Sequence, residues 1–173
     1  MTVYRASADG LVMGITAVVV VILGGVALGG FVAALTSRLP GLMRLVLLFP
    51  AVLCSGILAV AYAYTPRAFT LDDATLVVSR LAGDVRVPLR DVVEVRSVPN
   101  PVSGAMRVGG NGGLFGFWGR YQSAALGSFT MYGTRASGGV ALVTKDQTVV
   151  VTPDDPDRFT TDVQQRVGQR AAG

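Results

Sequence analysis

Charge disappears from two stretches of this chain, residues 11–35 and 45–64, while the remainder breaks into short apolar runs separated by polar and turn-forming residues. At about 1.5 Å per helical residue, each uncharged stretch can cross a hydrocarbon core of about 30 Å. The connector between them carries Arg38, Pro40, Gly41 and Arg44 and is too short for a domain. The pattern predicts an antiparallel transmembrane hairpin, 11–35 and 45–64, whose outer ends share one side of a bilayer. Pro50 is expected in the first turn or two of the second helix, where a missing amide costs least.

Small residues recur every four positions in both stretches: Gly25, Gly29 and Ala33 in the first, Ala51, Ser55, Ala59 and Ala63 in the second. In lipid, close backbone approach over small side chains is a main source of helix attraction. Two readings follow: the two faces pack on each other within the hairpin, or one of them takes a second copy or a partner helix. No acid or base lies inside either span, which argues against an ion or solute pathway.

After Tyr64 the pattern becomes β-like. Strands are predicted at 67–71, 75–81, 85–89, 92–98, 127–132, 140–144 and 148–152, with turns at Asp72-Asp73, Gly83-Asp84 and Lys145 to Gln147. The run Thr152-Pro153-Asp154-Asp155-Pro156-Asp157 has the acids and proline of a helix start. Phe159, Val163 and Val167 then form a narrow apolar stripe, and Arg166 and Arg170 suit the far end of the helix dipole. The expected organisation is an N-terminal segment 1–10, a hairpin 11–64, and a domain 65–173. That domain is a mainly-β sandwich or barrel capped by a C-terminal helix.

Composition sharpens this picture. Of 173 residues 51% are apolar and only 15% charged, below the roughly 25% usual for soluble domains, and the deficit is confined to the hairpin. From residue 65 onward twelve basic residues face ten acidic ones without forming a block, so nucleic-acid binding is not expected. Arg5 followed by an apolar run resembles a secretory signal, but the run far exceeds the usual 7–15 residues. The positive-inside rule slightly favours cytoplasmic termini, with the α-amino group, Arg5 and Arg67 near the membrane and Arg80 further out, set against Arg38 and Arg44 in the connector. The single cysteine, Cys54, can form no internal disulfide, and there is no histidine.

The segment from Arg107 to Tyr121 holds the most distinctive residues. Gly109, Gly110, Gly112 and Gly113 invite comparison with a phosphate loop, but no Gly-Lys-Ser/Thr follows and no βαβ unit surrounds them. Phe115, Phe117, Trp118 and Tyr121 are interleaved with glycine and flanked by Arg107 and Arg120. The rings either fill the domain core or dip into a headgroup region, where Trp and Tyr are favoured. The arginines could then meet lipid phosphates or an acidic partner. Acid clusters at Asp72-Asp73 and Asp154 to Asp157 read as turn and cap, with no activating base nearby. No catalytic residue, metal site or cofactor is expected.

The stretch from Tyr64 to Leu71, with Leu76 to Val78, Val87 to Leu89 and Asp91 to Val93, resembles the bacterial pleckstrin-homology-like (PH-like) domains. Arg107 to Gly116, Gly119 to Tyr121, Leu126 to Phe129, Tyr132 to Thr134 and Thr152 to Phe159 resemble a membrane-anchored branch of them. The resemblance implies about seven strands plus a C-terminal helix, no enzymatic activity and no agreed ligand. It also implies a bacterial cytoplasmic membrane protein. The expected function is a membrane-anchored binding or assembly module, its partners being the bilayer and either another protein or its own copies. The alternative is a structural subunit of a membrane complex acting through the hairpin.

Overall fold

Alternating burial along the short strands and long uncharged helices organise the described residues into two sheets, three α-helices and one short 3-10 turn at Leu89–Asp91. The computed structural model describes residues 1–171. In chain order these are β1 (Thr2–Arg5), α1 (Gly10–Thr36), α2 (Gly41–Tyr64), β2 (Ala68–Leu71), β3 (Thr75–Ser79), β4 (Val85–Pro88), β5 (Val92–Val98), β6 (Met106–Gly112), β7 (Phe117–Ser123), β8 (Gly127–Gly133), β9 (Gly139–Thr144), β10 (Thr148–Val151) and α3 (Pro156–Ala171). One sheet has the order β1-β2-β3-β4 and the other β5-β9-β10-β8-β7-β6. All pairs are antiparallel except β8 with β10. The sheets form a sandwich and do not close into a barrel.

Two cores result. Between the sheets, Phe69, Leu71, Leu76 and Val78 meet Val140, Leu142, Val149 and Val151, and α3 adds Phe159 and Val163. Full burial of such side chains stabilises by about 1.5–3 kcal/mol each. A second cluster gathers Phe117, Tyr121, Phe129, Met131, Ala141 and Val150, and Val12 from the first turn of α1 completes it. The helices are thus not merely joined to the β domain; α1 supplies one of its core residues.

The first strand was not legible as an element, yet it holds the architecture together. Thr2–Arg5 pairs antiparallel with β2, placing Arg5 opposite Ala68. The helical hairpin is therefore an insertion in the connection between two paired strands. Tyr4 packs edge-on against Phe159, 5.0 Å between ring centroids, and its hydroxyl donates to Asp162 at 2.5 Å. Arg166 donates to the Thr2 hydroxyl, so α3 clasps β1 from the side. The side chain of Arg170 lies outside the described residues.

The hairpin differs in detail from expectation. Both helices are long and apolar enough to cross a membrane, and the rest of the chain covers little of their apolar surface. The second begins at Gly41, not at 45, because Pro40 serves as its N-cap and Arg44 donates back to the Ser37 carbonyl. An apolar pattern marks the uncharged length of a helix, not its polar first turn. Pro50 consequently lies well inside α2 and leaves an intrahelical bond unmade.

The seam between α1 and α2 also runs through other residues than the four-residue repeat suggested. The buried small residues of the hairpin beyond Val12 are Ala27 and Ala34 on α1 and Ala51, Cys54 and Ala61 on α2. At Gly30 an added Cβ would lie 2.9 Å from the Leu47 carbonyl oxygen and 3.0 Å from the Ala51 Cβ, whereas Gly25 and Gly29 face open space. Ser55 and Ala59 are exposed, and Ala33 and Ala63 only partly buried. Of the expected small residues, Ala51 alone is fully buried at the seam. Spacings of three and four alternate along a helical face of period 3.6, and a strict four-residue repeat drifts off it.

Candidate functional site

The glycine-aromatic segment forms a β-hairpin, β6 and β7, that docks against the near ends of both long helices. Its glycines permit a close strand approach. Gly110 and Gly119 are register partners, both at positive φ (108° and 118°). A Cβ on Gly110 would collide with the Trp118 carbonyl, and one on Gly119 with the Gly109 carbonyl. The turn between the strands is held by side chains. Asn111 donates from its amide to the Leu114 carbonyl and, at 2.9 Å, to the Gly116 carbonyl. The Tyr121 hydroxyl donates to the Asn111 carbonyl.

From α1, the Thr16 hydroxyl accepts from the Phe115 amide at 2.8 Å and donates to the Gly113 carbonyl at 3.4 Å. Phe115 sits in the left-handed region at φ 61°, a conformation that costs a non-glycine residue about 1–2 kcal/mol. Its ring is what the position requires: it meets Tyr62 edge-on at 5.4 Å. Trp118 stacks on Tyr64 at 5.0 Å. Two guanidinium groups extend this collar. Arg67 lies over Tyr62 at 5.0 Å, and Arg80 lies 5.4 Å from both Tyr64 and Tyr132.

Strand alternation divides the segment's aromatics. Phe117 and Tyr121 point into the second core, while Trp118 faces the helix end and Phe115 projects from the turn. Burial pushes the Tyr121 hydroxyl up to about 12, against an opposing pull from Arg107. The two flanking arginines are not brought together. Arg120 lines a cavity of 440 Å³ beside Asp146 and Gln147. Arg107 lines a groove of 640 Å³ between α2 and the β6–β7 hairpin, shared with Gly56, Ile57, Leu114 and Trp118. Its guanidinium donates to the Gly110 carbonyl and has no carboxylate partner among the described residues. The Trp118 indole N–H is buried without a hydrogen-bond partner.

The helices are fixed to the domain by polar groups that no motif marked. Asp9 caps α1 by accepting from the Val12 amide at 2.9 Å, and its second carboxylate oxygen accepts from the Ala136 amide at 2.6 Å. At the end of α2, the Ala63 carbonyl accepts from the Ala82 amide at 2.9 Å. An acid directly before an apolar run is the signal that could have identified Asp9. A lone hydroxyl near the start of that run was the only hint of Thr16. Among the described residues, no three His, Cys, Asp or Glu side chains gather in a metal-binding group.

A family model described as bacterial PH domain matches residues 67–167. No curated protein and no solved structure matches the chain. The matched region starts one residue before β2 and ends within α3, so it omits β1 and the two long helices that the geometry ties to it.

Proposed function

The chain belongs to the bacterial PH domain family, and on that premise we propose that it is a membrane-anchored, non-catalytic binding or assembly module. In this reading α1 and α2 span the cytoplasmic membrane and the β domain stands on its cytoplasmic side. The observation that carries it is the insertion of the hairpin between β1 and β2, with Arg5 opposite Ala68. Both ends of the hairpin enter a rigid sheet, so the domain is held at one angle to the bilayer. A surface held in this way meets membrane neighbours at high effective concentration and in one orientation. The edge strand β6 is the surface best suited to contact, with Met106 66% and Val108 62% exposed beside unpaired backbone groups.

Carbonate extraction and protease treatment of sealed vesicles test the anchor and its sidedness. The chain should stay with the membrane, and its β domain should be cleaved only in inside-out vesicles. Release by carbonate would overturn the proposal. A photo-crosslinker at position 108 should then join the chain to a membrane neighbour that a crosslinker at exposed position 73, in the β2–β3 turn of the other sheet, does not reach.

A second reading has its own support. Gly25, Gly29, Ser55 and Ala59 face away from the seam between the helices, which suits a structural subunit that packs through its hairpin. Under that reading Ser55→Ile with Ala59→Ile abolishes partner copurification while changes on β6 leave it intact.

A further inference from the structure

We propose that the groove between α2 and the β6–β7 hairpin seats one acyl chain of an anionic phospholipid, with the lipid phosphate on Arg107. This deepens the membrane-anchored reading and rests on it. The groove has two unlike walls. The α2 wall is wholly apolar and open, with Val52 60% and Ile57 44% exposed and Gly56 leaving empty space between them. From Val52 to Val60 that wall runs roughly 12 Å along the helix axis, a length suited to an extended alkyl chain. The hairpin wall is formed by Arg107, Gly110, Asn111, Leu114 and Trp118, with Arg107 its one charged residue.

The ligand that matches both walls carries an apolar tail and an anionic head. Arg107 has spare N–H donors and no carboxylate beside it among the described residues, and a phosphate accepts them in a bidentate pair. The Trp118 side chain forms part of the same wall, so its ring system lies beside whatever fills the groove. Position decides between lipid and other amphiphiles. The wall belongs to the domain-proximal half of a helix that crosses the bilayer, and lipids are the solvent there.

Trp118 is the only tryptophan, so it reports on this groove alone. The full chain is reconstituted into phosphatidylcholine vesicles containing a minor fraction of phosphatidylglycerol. Bromine is placed on the acyl chains of one lipid or the other, and Trp118 quenching is measured at equal fractions of brominated lipid. Brominated phosphatidylglycerol should be favoured about fivefold over its mole fraction, the worth of one arginine near an anionic lipid. Arg107→Gln should remove that preference. Gly56→Leu, whose added Cβ meets nothing within 4 Å, places a side chain in the groove and should lower quenching by both lipids.

Equal quenching by the two lipids in proportion to their fractions means general lipid contact and overturns the proposal. So does a preference that survives Gly56→Leu, or an absence of quenching accompanied by concentration-dependent dimer crosslinking across the groove. Carbonate extraction of the same vesicles separates the two levels. A chain that is released defeats the anchored reading and the groove with it. A chain that is retained but shows no preference defeats the groove alone.

Discussion

The hydroxyl of Thr16, in the second turn of α1, accepts the backbone amide of Phe115 from ninety-nine residues away. The same hydroxyl donates to the Gly113 carbonyl, so one side chain satisfies both polar groups of a turn lodged against two apolar helices. Without it, the Phe115 N–H would face hydrocarbon surface with no partner, and the left-handed conformation of Phe115 would lose its restraint.

Thr16→Val, which keeps the shape and removes the hydroxyl, should therefore destabilise the turn by about 1–3 kcal/mol. Hydrogen exchange of the full chain in micelles should show the Phe115 amide losing protection, with little change in the Phe117 and Tyr121 core. Thr16→Ser should restore protection. A valine variant that keeps the amide protected would show that the hydrogen bond carries no weight.

At the helix seam, Gly30 and its neighbours in the glycine stripe should behave oppositely. An added Cβ at Gly30 meets the Leu47 backbone and Ala51, so Gly30→Leu must push the helices apart and should cost about 1–3 kcal/mol in thermal unfolding of the full chain. Gly25→Leu and Gly29→Leu enter open space and should leave the hairpin's own stability unchanged. If either of them lowers the midpoint as much as the change at Gly30, the seam runs elsewhere.

The main elements could be read from the sequence because each carries its own period. The uncharged runs gave the helices, and alternation gave β2 to β5 and β8 to β10 within a residue or two. β6 and β7 were missed as strands because glycine contributes no alternation and depresses strand propensity, although Phe117 and Tyr121 point inward on a period-two pattern. β1 was missed for a different reason. Four residues at a terminus carry no periodic signal, and only the long-range pairing of Arg5 with Ala68 gives them a conformation. The site was half legible. Its aromatics could be named, but the division between core and helix contact depends on strand register, and so does the separation of Arg107, paired with Tyr121, from Arg120, which alternation turns to the other face.

The insertion topology makes a prediction about fragments. A chain reduced to residues 66–173 lacks β1 and Val12, so it uncovers Phe159 in one core and Met131 in the other. It should be unfolded or aggregated. A chain in which residues 10–64 are replaced by a short glycine-serine turn retains the pairing of Arg5 with Ala68 and should fold, though below the stability of the full chain. Circular dichroism and urea unfolding rank the two, and a cooperative transition in the 66–173 fragment would refute the structural role of β1.

Acid should loosen the end of the N-terminal segment before it touches either core. The Asp154 carboxylate accepts the Ser7 amide at 2.8 Å and the Ser7 hydroxyl at 2.6 Å, with Arg135 at 3.6 Å. Burial pushes its pKa up, but these hydrogen bonds and the nearby guanidinium outweigh that and hold it below its ordinary value of 3.8. A depressed carboxylate stabilises above its unfolded pKa, and that contribution fades as pH falls through the folded one. Protection of the Ser7 amide, measured against its intrinsic exchange rate at each pH, should fall in that acid range, and Asp154→Asn should show the lower protection already at neutral pH.

Alkali should act on β1 from its other face. Burial, followed by the hydrogen bond to Asp162, raises the Tyr4 hydroxyl from 10.0 to about 12. The sign is opposite to that of Asp154. The folded state holds the proton more tightly than the unfolded state, so the full stabilisation is present below pH 10 and is lost as pH rises towards 12. Ionised Tyr4 would place a phenolate against the Asp162 carboxylate, two like charges where one donor and one acceptor had been. Tyr121 rises to about 12 as well, so the alkaline slope of the native protein contains two protons. Tyr4→Phe should remove one of them, flattening the slope of unfolding free energy between pH 10 and 12 by about 1.4 kcal/mol per pH unit at its steepest. At neutral pH the same variant loses a charge-assisted hydrogen bond and should be less stable by about 1.5–3 kcal/mol. The two curves therefore converge on going alkaline, and parallel curves would show that the Tyr4 hydroxyl is not held by Asp162.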